Sequence, residues 1–189
     1  MDLIKSIAIV LVALSSLGIV CIVLRKENSF YNVFEVIQYQ HKLLEGSPIQ
    51  KNGFYVLPLL LSAGLAVLFV PNDSFISSMI TIVCMLLSIL LAALAIIASS
   101  NTTNVVKEEQ RKNVNSVTKE TIFSISYAAY LSILLLFYLL VISAVQVNSL
   151  SFVLAVVLTG MGYYAFFLII LTLLIIIKRI WKLKELDVK

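Results

Sequence analysis

Long apolar runs separated by short polar links are the dominant pattern of this chain. Five runs approach the roughly 20 apolar residues that a helix needs to cross the hydrocarbon core of a bilayer. They cover residues 3–24, 54–70, 76–98, 122–145 and 152–177. All five are expected to be helices, since an isolated strand in lipid would leave its backbone polar groups unpaired. The pattern predicts an all-α polytopic membrane protein, with residues 1–189 forming a single membrane domain of about five transmembrane helices.

The first run, residues 3–24, has a second interpretation as a cleaved signal peptide. Its N-terminal region carries a single basic residue, Lys5, its apolar stretch is longer than a typical signal core, and no A-x-A cleavage site follows. These features favour a retained helix. The number of transmembrane helices would be four if this run is not counted.

Composition supports the membrane assignment. Of the 189 residues, 61% are hydrophobic and 13% are charged. Such a chain has too few polar groups to cover a water-exposed surface, so lipid must surround most of its side chains. The net charge of +4 could indicate nucleic-acid binding. Membrane proteins, however, carry basic loops as a topology signal, so no direct nucleic-acid binding is expected.

The basic residues predict how the chain crosses the membrane. All Lys and Arg residues except Lys5 lie in residues 25–53, 100–121 and 178–189, whereas the links 71–75 and 146–151 contain none. Because basic loops stay in the cytoplasm, the three basic segments are predicted to be cytoplasmic and the orientation to be N-out/C-in. The two short links would then lie outside and make 54–98 and 122–177 into helical hairpins. Within the first link, Pro71, Asn72 and Asp73 favour a turn.

The cytoplasmic segments are candidates for partner binding. In residues 30–44, apolar residues recur with helical spacing at Phe30, Val33, Phe34, Ile37 and Leu44, and Gly46, Ser47 and Pro48 follow as a helix end. This segment is either an interfacial helix on the headgroups or a docking helix for a soluble partner. The segment KEEQRKN, residues 107–113, is interpreted mainly as a topology determinant whose charged face is solvated. The alternative interpretation is a docking surface for a partner. The hypothetical partner-binding residues are Lys107, Glu108, Glu109, Arg111 and Lys112, with His41 and Lys42 behind them.

Other side chains are candidates for contacts with lipid or with a second copy of the chain. Lys178, Arg179, Trp181 and Lys182 in the basic tail are predicted lipid-interface anchors. Ser124, Ala128 and Ser132 recur every four residues in the fourth run, and small residues at this spacing let helices approach closely. This stripe serves either packing within one protomer or self-association. A pore formed by several subunits is a further possibility.

Residues that usually carry chemistry are scarce. Apart from Lys5, no charged residue falls within an apolar run, and His41 has no Cys, Asp or second His at ligand spacing. Cys21 and Cys84 lie in apolar runs without a neighbouring ligand, and no phosphate-binding or nucleophile-elbow motif occurs. We therefore expect no catalytic residue, no cofactor and no metal site, and the chain is not expected to be an enzyme.

The segment KETIFSISYAAYLSILLL, residues 119–136, follows the basic segment 100–121 and stands among hydrophobic hairpins with a basic tail. In this organisation the chain resembles the membrane subunits of the Kiwa family of antiphage defence systems. The resemblance implies a bacterial inner-membrane homo-oligomer that responds to phage infection, with a cytoplasmic face that binds a cytosolic effector and no catalysis by this chain. The alternative function is an oligomeric pore that depolarises the membrane.

Overall fold

The computed structural model describes residues 33–43, 48–69, 72–99, 108–145 and 152–187. These residues form five helices: α1 (Val33–Leu43), α2 (Pro48–Leu68), α3 (Asp73–Ser99), α4 (Glu108–Val145) and α5 (Phe152–Asp187). The helices α2 to α5 are each long and apolar enough to cross a membrane. The predicted all-α, multi-pass membrane fold is confirmed. The run 3–24 lies outside the described residues, and the N-out/C-in orientation stays a prediction.

Local sequence explains where the helices begin. Pro48 occupies the first position of α2, where its missing N–H costs no hydrogen bond. Asn72 caps α3, because its side-chain Oδ1 accepts a hydrogen bond from the Phe75 backbone N–H at 2.9 Å. The carbonyl of Asn72 also accepts from the Ile76 N–H at 3.1 Å. The predicted turn therefore includes the residue that starts the next helix.

The two longest helices exceed the apolar runs that predicted them. α4 has 38 residues and α5 has 36, whereas about 20 residues cross the hydrocarbon core. α4 begins at Glu108, before the run 122–145, and α5 continues to Asp187, beyond the run 152–177. Both helices therefore extend past the apolar region, α4 at its N-terminus and α5 at its C-terminus.

α4 and α5 pack against each other at the centre of the bundle, with α3 against α4 and α2 against α5. The central core cluster joins Ala66, Val83, Leu135 and Ile169, which come from α2, α3, α4 and α5 respectively. Small residues permit close approach here: a Cβ added at Gly160 of α5 would lie 3.5 Å from the Ala66 Cβ.

Two smaller clusters fix the directions of the helices. One contains Ile76, Ile142 and Ala155, and the other contains Leu90, Ile125 and Ile176. The start of α3 thus meets the end of α4 and the start of α5, so neighbouring helices are antiparallel. The extensions of α4 and α5 consequently lie at the same end of the bundle, which we call the extension end.

One of the two predicted hairpins is wrong. α4 and α5 form a packed antiparallel pair as expected, but α2 and α3 are not among the helix pairs in extensive contact in the described part of the chain. The buried side of α3 meets α4, and the buried side of α2 meets α5. Two helices joined by a short link have neighbouring ends, but their side-chain surfaces need not pack against each other.

The outer surface is apolar. Exposed large apolar side chains occur on all four long helices, including Leu60 on α2, Met85 on α3, Leu140 on α4 and Val157 on α5. In water such a surface would be unfavourable, and in a bilayer it contacts acyl chains. The membrane-spanning helices are thus consistent with the predicted contact with lipid.

Candidate partner-docking site

Arg179 joins α5 to α4 at the extension end. Its Nη1 donates hydrogen bonds to the Glu120 backbone oxygen at 2.8 Å and to Ser124 Oγ at 2.8 Å. The guanidinium is half-buried and Ser124 is fully buried. Hydrogen bonds from a charged donor are about twice as strong as those between neutral groups. Two such bonds therefore tie the last turns of α5 to the extension of α4.

Arg179, a predicted lipid-interface anchor, contacts α4 in this structure, and its contact with lipid headgroups stays a prediction. A partly buried guanidinium needs acceptors, and the carbonyl and hydroxyl of α4 supply two of them at its level in the bundle. The other predicted anchors, Lys178, Trp181 and Lys182, are exposed, and their contact with the lipid interface stays a prediction.

The same serine holds α1. Ser124 Oγ lies 3.1 Å from Gln40 Oε1 and 2.9 Å from the Glu120 backbone oxygen, so its single proton serves one of these acceptors at a time. Beside it, the ring of Tyr39 stacks on that of Phe123, with centroids 4.3 Å apart and planes 25° from parallel. Polar and aromatic contacts together place α1 on the first part of α4.

Gln40 is only 1% exposed, which is unusual for a glutamine on a short helix. Its Oε1 is paired with Ser124, but its Nε2 is buried without a hydrogen-bond partner among the described residues. An unpaired buried donor costs about 1–3 kcal/mol. In the contact of α1 with α4, one buried amide donor therefore lacks an acceptor among the described residues. In the contact of α5 with α4, Arg179 Nη1 has two acceptors.

The hypothetical partner-binding residues fall on two helices, as far as the structure describes them. Glu108, Glu109, Arg111 and Lys112 belong to the helical extension of α4, although their side chains are outside the described part of the chain, as is all of Lys107.

The described part of the α4 extension has two distinct sides. Val114 and Val117 are buried. Asn115, Ser116 and Lys119 are exposed. The extension thus has one side packed in the protein and one polar side open to a partner.

His41 and Lys42 are exposed on α1, one and two residues after buried Gln40. With Ile37 and Gln38 of α1 and Tyr55 of α2, they line an open groove of about 480 Å³. The ring centroids of His41 and Tyr55 are 6.2 Å apart. We call this feature the α1–α2 groove.

The predicted self-association stripe lies inside the protomer. Ser124, Ala128 and Ser132 are all 0% exposed, so a second copy has no access to them in this structure. Ser132 Oγ donates to the Ala128 carbonyl at 2.8 Å, and Ala128 packs with Leu90 and Ile176. The small side chains let α3 and α5 approach α4, which favours the interpretation of packing within one protomer.

Sequence reasoning missed Gln40, although a signal existed. Gln40 follows Val33 by seven residues and Ile37 by three, so it lies on the helix face that carries the apolar stripe. A polar residue within an otherwise apolar face indicates a specific hydrogen-bond partner. The partner itself, Ser124, is 84 residues away along the chain and cannot be found from spacing.

In the described part of the chain, no group of three or more His, Cys, Asp or Glu side chains could hold a metal ion. Comparisons with protein-family models, curated proteins and solved structures found no match to this chain.

A double-mutant cycle tests the contact of α5 with α4. Arg179→Ala and Ser124→Ala should each lower the free energy of unfolding in micelles by about 1–3 kcal/mol, because each removes a partner of a charged hydrogen bond. The double variant should lose less than the sum, with a coupling of about 1 kcal/mol. Lys178→Ala is the control, since exposed Lys178 should change stability by less than about 0.5 kcal/mol. Strictly additive losses would contradict the contact.

Proposed function

We propose that this chain is a homo-oligomeric adaptor subunit of a bacterial inner membrane that anchors, or signals to, a cytosolic effector. The observation that carries this proposal is the helical platform at the extension end. There α4 and α5 continue beyond their apolar runs, and α1 contacts α4 through Gln40 and Ser124. A platform held by hydrogen bonds between three helices presents a fixed surface to a soluble protein.

The distribution of charge supports a cytoplasmic location for this platform. Among the described residues, every Lys and Arg lies toward the extension end: at the end of α1, the start of α2, the start of α4 and the last turns of α5. The described residues at the opposite end of the bundle include no Lys or Arg. Basic residues are retained on the cytoplasmic side, which fits the N-out/C-in orientation.

The biological setting in the proposal is antiphage defence. Its support is the resemblance of residues 119–136, with the preceding basic segment and the basic tail, to the membrane subunits of the Kiwa family. That segment contains Glu120 and Ser124, which hold Arg179 and Gln40 in this chain. In this proposal the chain senses infection at the membrane, passes the signal to its effector and performs no catalytic step.

Self-association is better supported on α3 than on the stripe in α4. Small residues follow one exposed face along the length of α3: Ser74, Ser77, Thr81, Cys84, Ser88, Ala92, Ala95 and Ser99. The hydroxyls of Thr81 and Ser88 bond to carbonyls four residues earlier at 3.0 Å, so they present little unpaired polarity to lipid. Such a face allows close approach of a second helix.

The same face supports the alternative function, an oligomeric pore that depolarises the membrane. If several copies placed α3 around a common axis, its hydroxyl-bearing face would line the passage. A constitutively open pore requires that expression of the protein collapse the membrane potential, whereas an adaptor does not.

The adaptor proposal predicts that partner capture depends on the start of α4. With Lys107, Arg111 and Lys112 all changed to Ala, the stoichiometric soluble protein recovered from the native host should be lost, because its charge-complementary contacts are removed. The matched control changes exposed Lys178, Lys182 and Lys184 to Ala, which removes the same charge from α5. Capture should persist in this control. Unchanged capture by the first variant, with its membrane topology intact, would refute the docking surface.

Self-association through α3 is testable with the exposed thiol of Cys84. In a Cys21→Ser background, oxidation of native membranes should produce a disulfide-linked dimer, because two small-residue faces in contact bring their thiols within bonding distance. The control carries Cys84→Ser with Val83→Cys, which moves the thiol to a fully buried position of the same helix. Equal crosslinking of the two variants, or none from Cys84, would argue against this interface.

A further inference from the structure

We propose that the α1–α2 groove binds the phosphate headgroup of one anionic phospholipid. The groove lies between the short helix α1 and the first described membrane helix, at the extension end. Its volume of about 480 Å³ is within the range of small-ligand sites in proteins. A headgroup is smaller than a complete drug-sized ligand, so it fits this space while its acyl chains remain outside.

The lining of the groove is suited to phosphate oxygens. Lys42 supplies a full positive charge with three N–H donors, and His41 supplies a ring N–H. Gln38 adds an amide and Tyr55 a hydroxyl, so four donor-bearing side chains border one opening. A phosphodiester is an acceptor of charge-assisted hydrogen bonds, which makes it complementary to this set.

The depth of the groove along the candidate membrane span favours a lipid over a free phosphate ion as its ligand. The candidate membrane span of α2 is Lys51–Leu68, and Tyr55 stands four residues into it, about 6 Å along the helix axis. Tyrosine at this depth belongs to the zone of the headgroups. Leu59, one turn further along α2, is 54% exposed and continues the surface from Tyr55 into the apolar region. An acyl chain attached to a bound headgroup can lie along this surface.

This inference does not depend on the adaptor proposal. It assigns His41 and Lys42 to lipid and leaves the exposed side of α4, with Asn115 and Lys119, to a protein partner. Neighbouring side chains of α1 then have different tasks. Gln40 holds α1 to α4, and the groove side ties α1 to the membrane surface.

Native mass spectrometry of the purified full-length chain tests the proposal, with phosphatidylglycerol, phosphatidylcholine and inorganic phosphate as probes. We expect one phosphatidylglycerol retained per chain and preference over phosphatidylcholine. His41→Gln combined with Lys42→Gln should weaken retention by about tenfold, because a basic residue and a neighbouring donor are lost. The control Lys119→Gln removes the same single charge from exposed α4 and should retain the lipid as wild type does.

A second variant separates binding from folding. Tyr55→Phe removes one hydroxyl and keeps the ring beside His41, so it should fold normally and still reduce retention severalfold. Retention equal to wild type in both groove variants would overturn the proposal. So would equal retention of phosphatidylcholine, an equal loss in Lys119→Gln, or displacement of the lipid by equimolar inorganic phosphate. Each result can be obtained without any protein partner, so it is independent of the adaptor test.

Discussion

A half-buried guanidinium between two helices needs hydrogen-bond acceptors, and this requirement organises the extension end of the protein. Arg179 satisfies it with a backbone carbonyl and a serine hydroxyl of α4. Because α4 and α5 extend beyond their apolar runs at this end, apolar burial in the central core does not by itself determine the positions of the first turns of α4 and the last turns of α5. The hydrogen bonds of Arg179 supply that constraint. Ser124 also contacts Gln40, so the position of α1 depends on the same group of hydrogen bonds.

The rest of the bundle follows from lipid as the surrounding solvent. α4 and α5 supply most of the buried residues, whereas α2 and α3 cover one side each and present their outer faces to the bilayer. Helices in lipid gain little from burying further leucines, so close approach of small residues decides which faces pack. Gly160 against Ala66 and Ala128 against Leu90 are examples within the chain. The small-residue face of α3 is exposed, which is why it is the better candidate for contact with a second copy.

Sequence patterns predicted four of the helices well because crossing a bilayer demands long uninterrupted apolar runs, and the start of α3 at Asn72 uses local chemistry. The pattern could not show which helices are neighbours. Adjacency along the chain suggested that α2 packs on α3, but interhelix contacts depend on facing surfaces. It also could not show that Arg179 contacts α4, because a basic residue next to an apolar run looks the same whether it reaches headgroups or an internal carbonyl. The stripe at Ser124 was correctly recognised as a close-packing surface, yet its partners lie within the same chain.

The adaptor proposal requires that α1 be fixed to α4, because a mobile α1 would remove the platform. A direct measurement is the distance between spin labels at exposed positions of the two helices, introduced by Gln38→Cys and Asn115→Cys after both native cysteines are changed to Ser. In lipid nanodiscs, pulsed electron paramagnetic resonance should give a single narrow distance distribution, since the contacts of Gln40 and Tyr39 define one orientation. A broad or multimodal distribution in the otherwise unchanged protein would contradict the account.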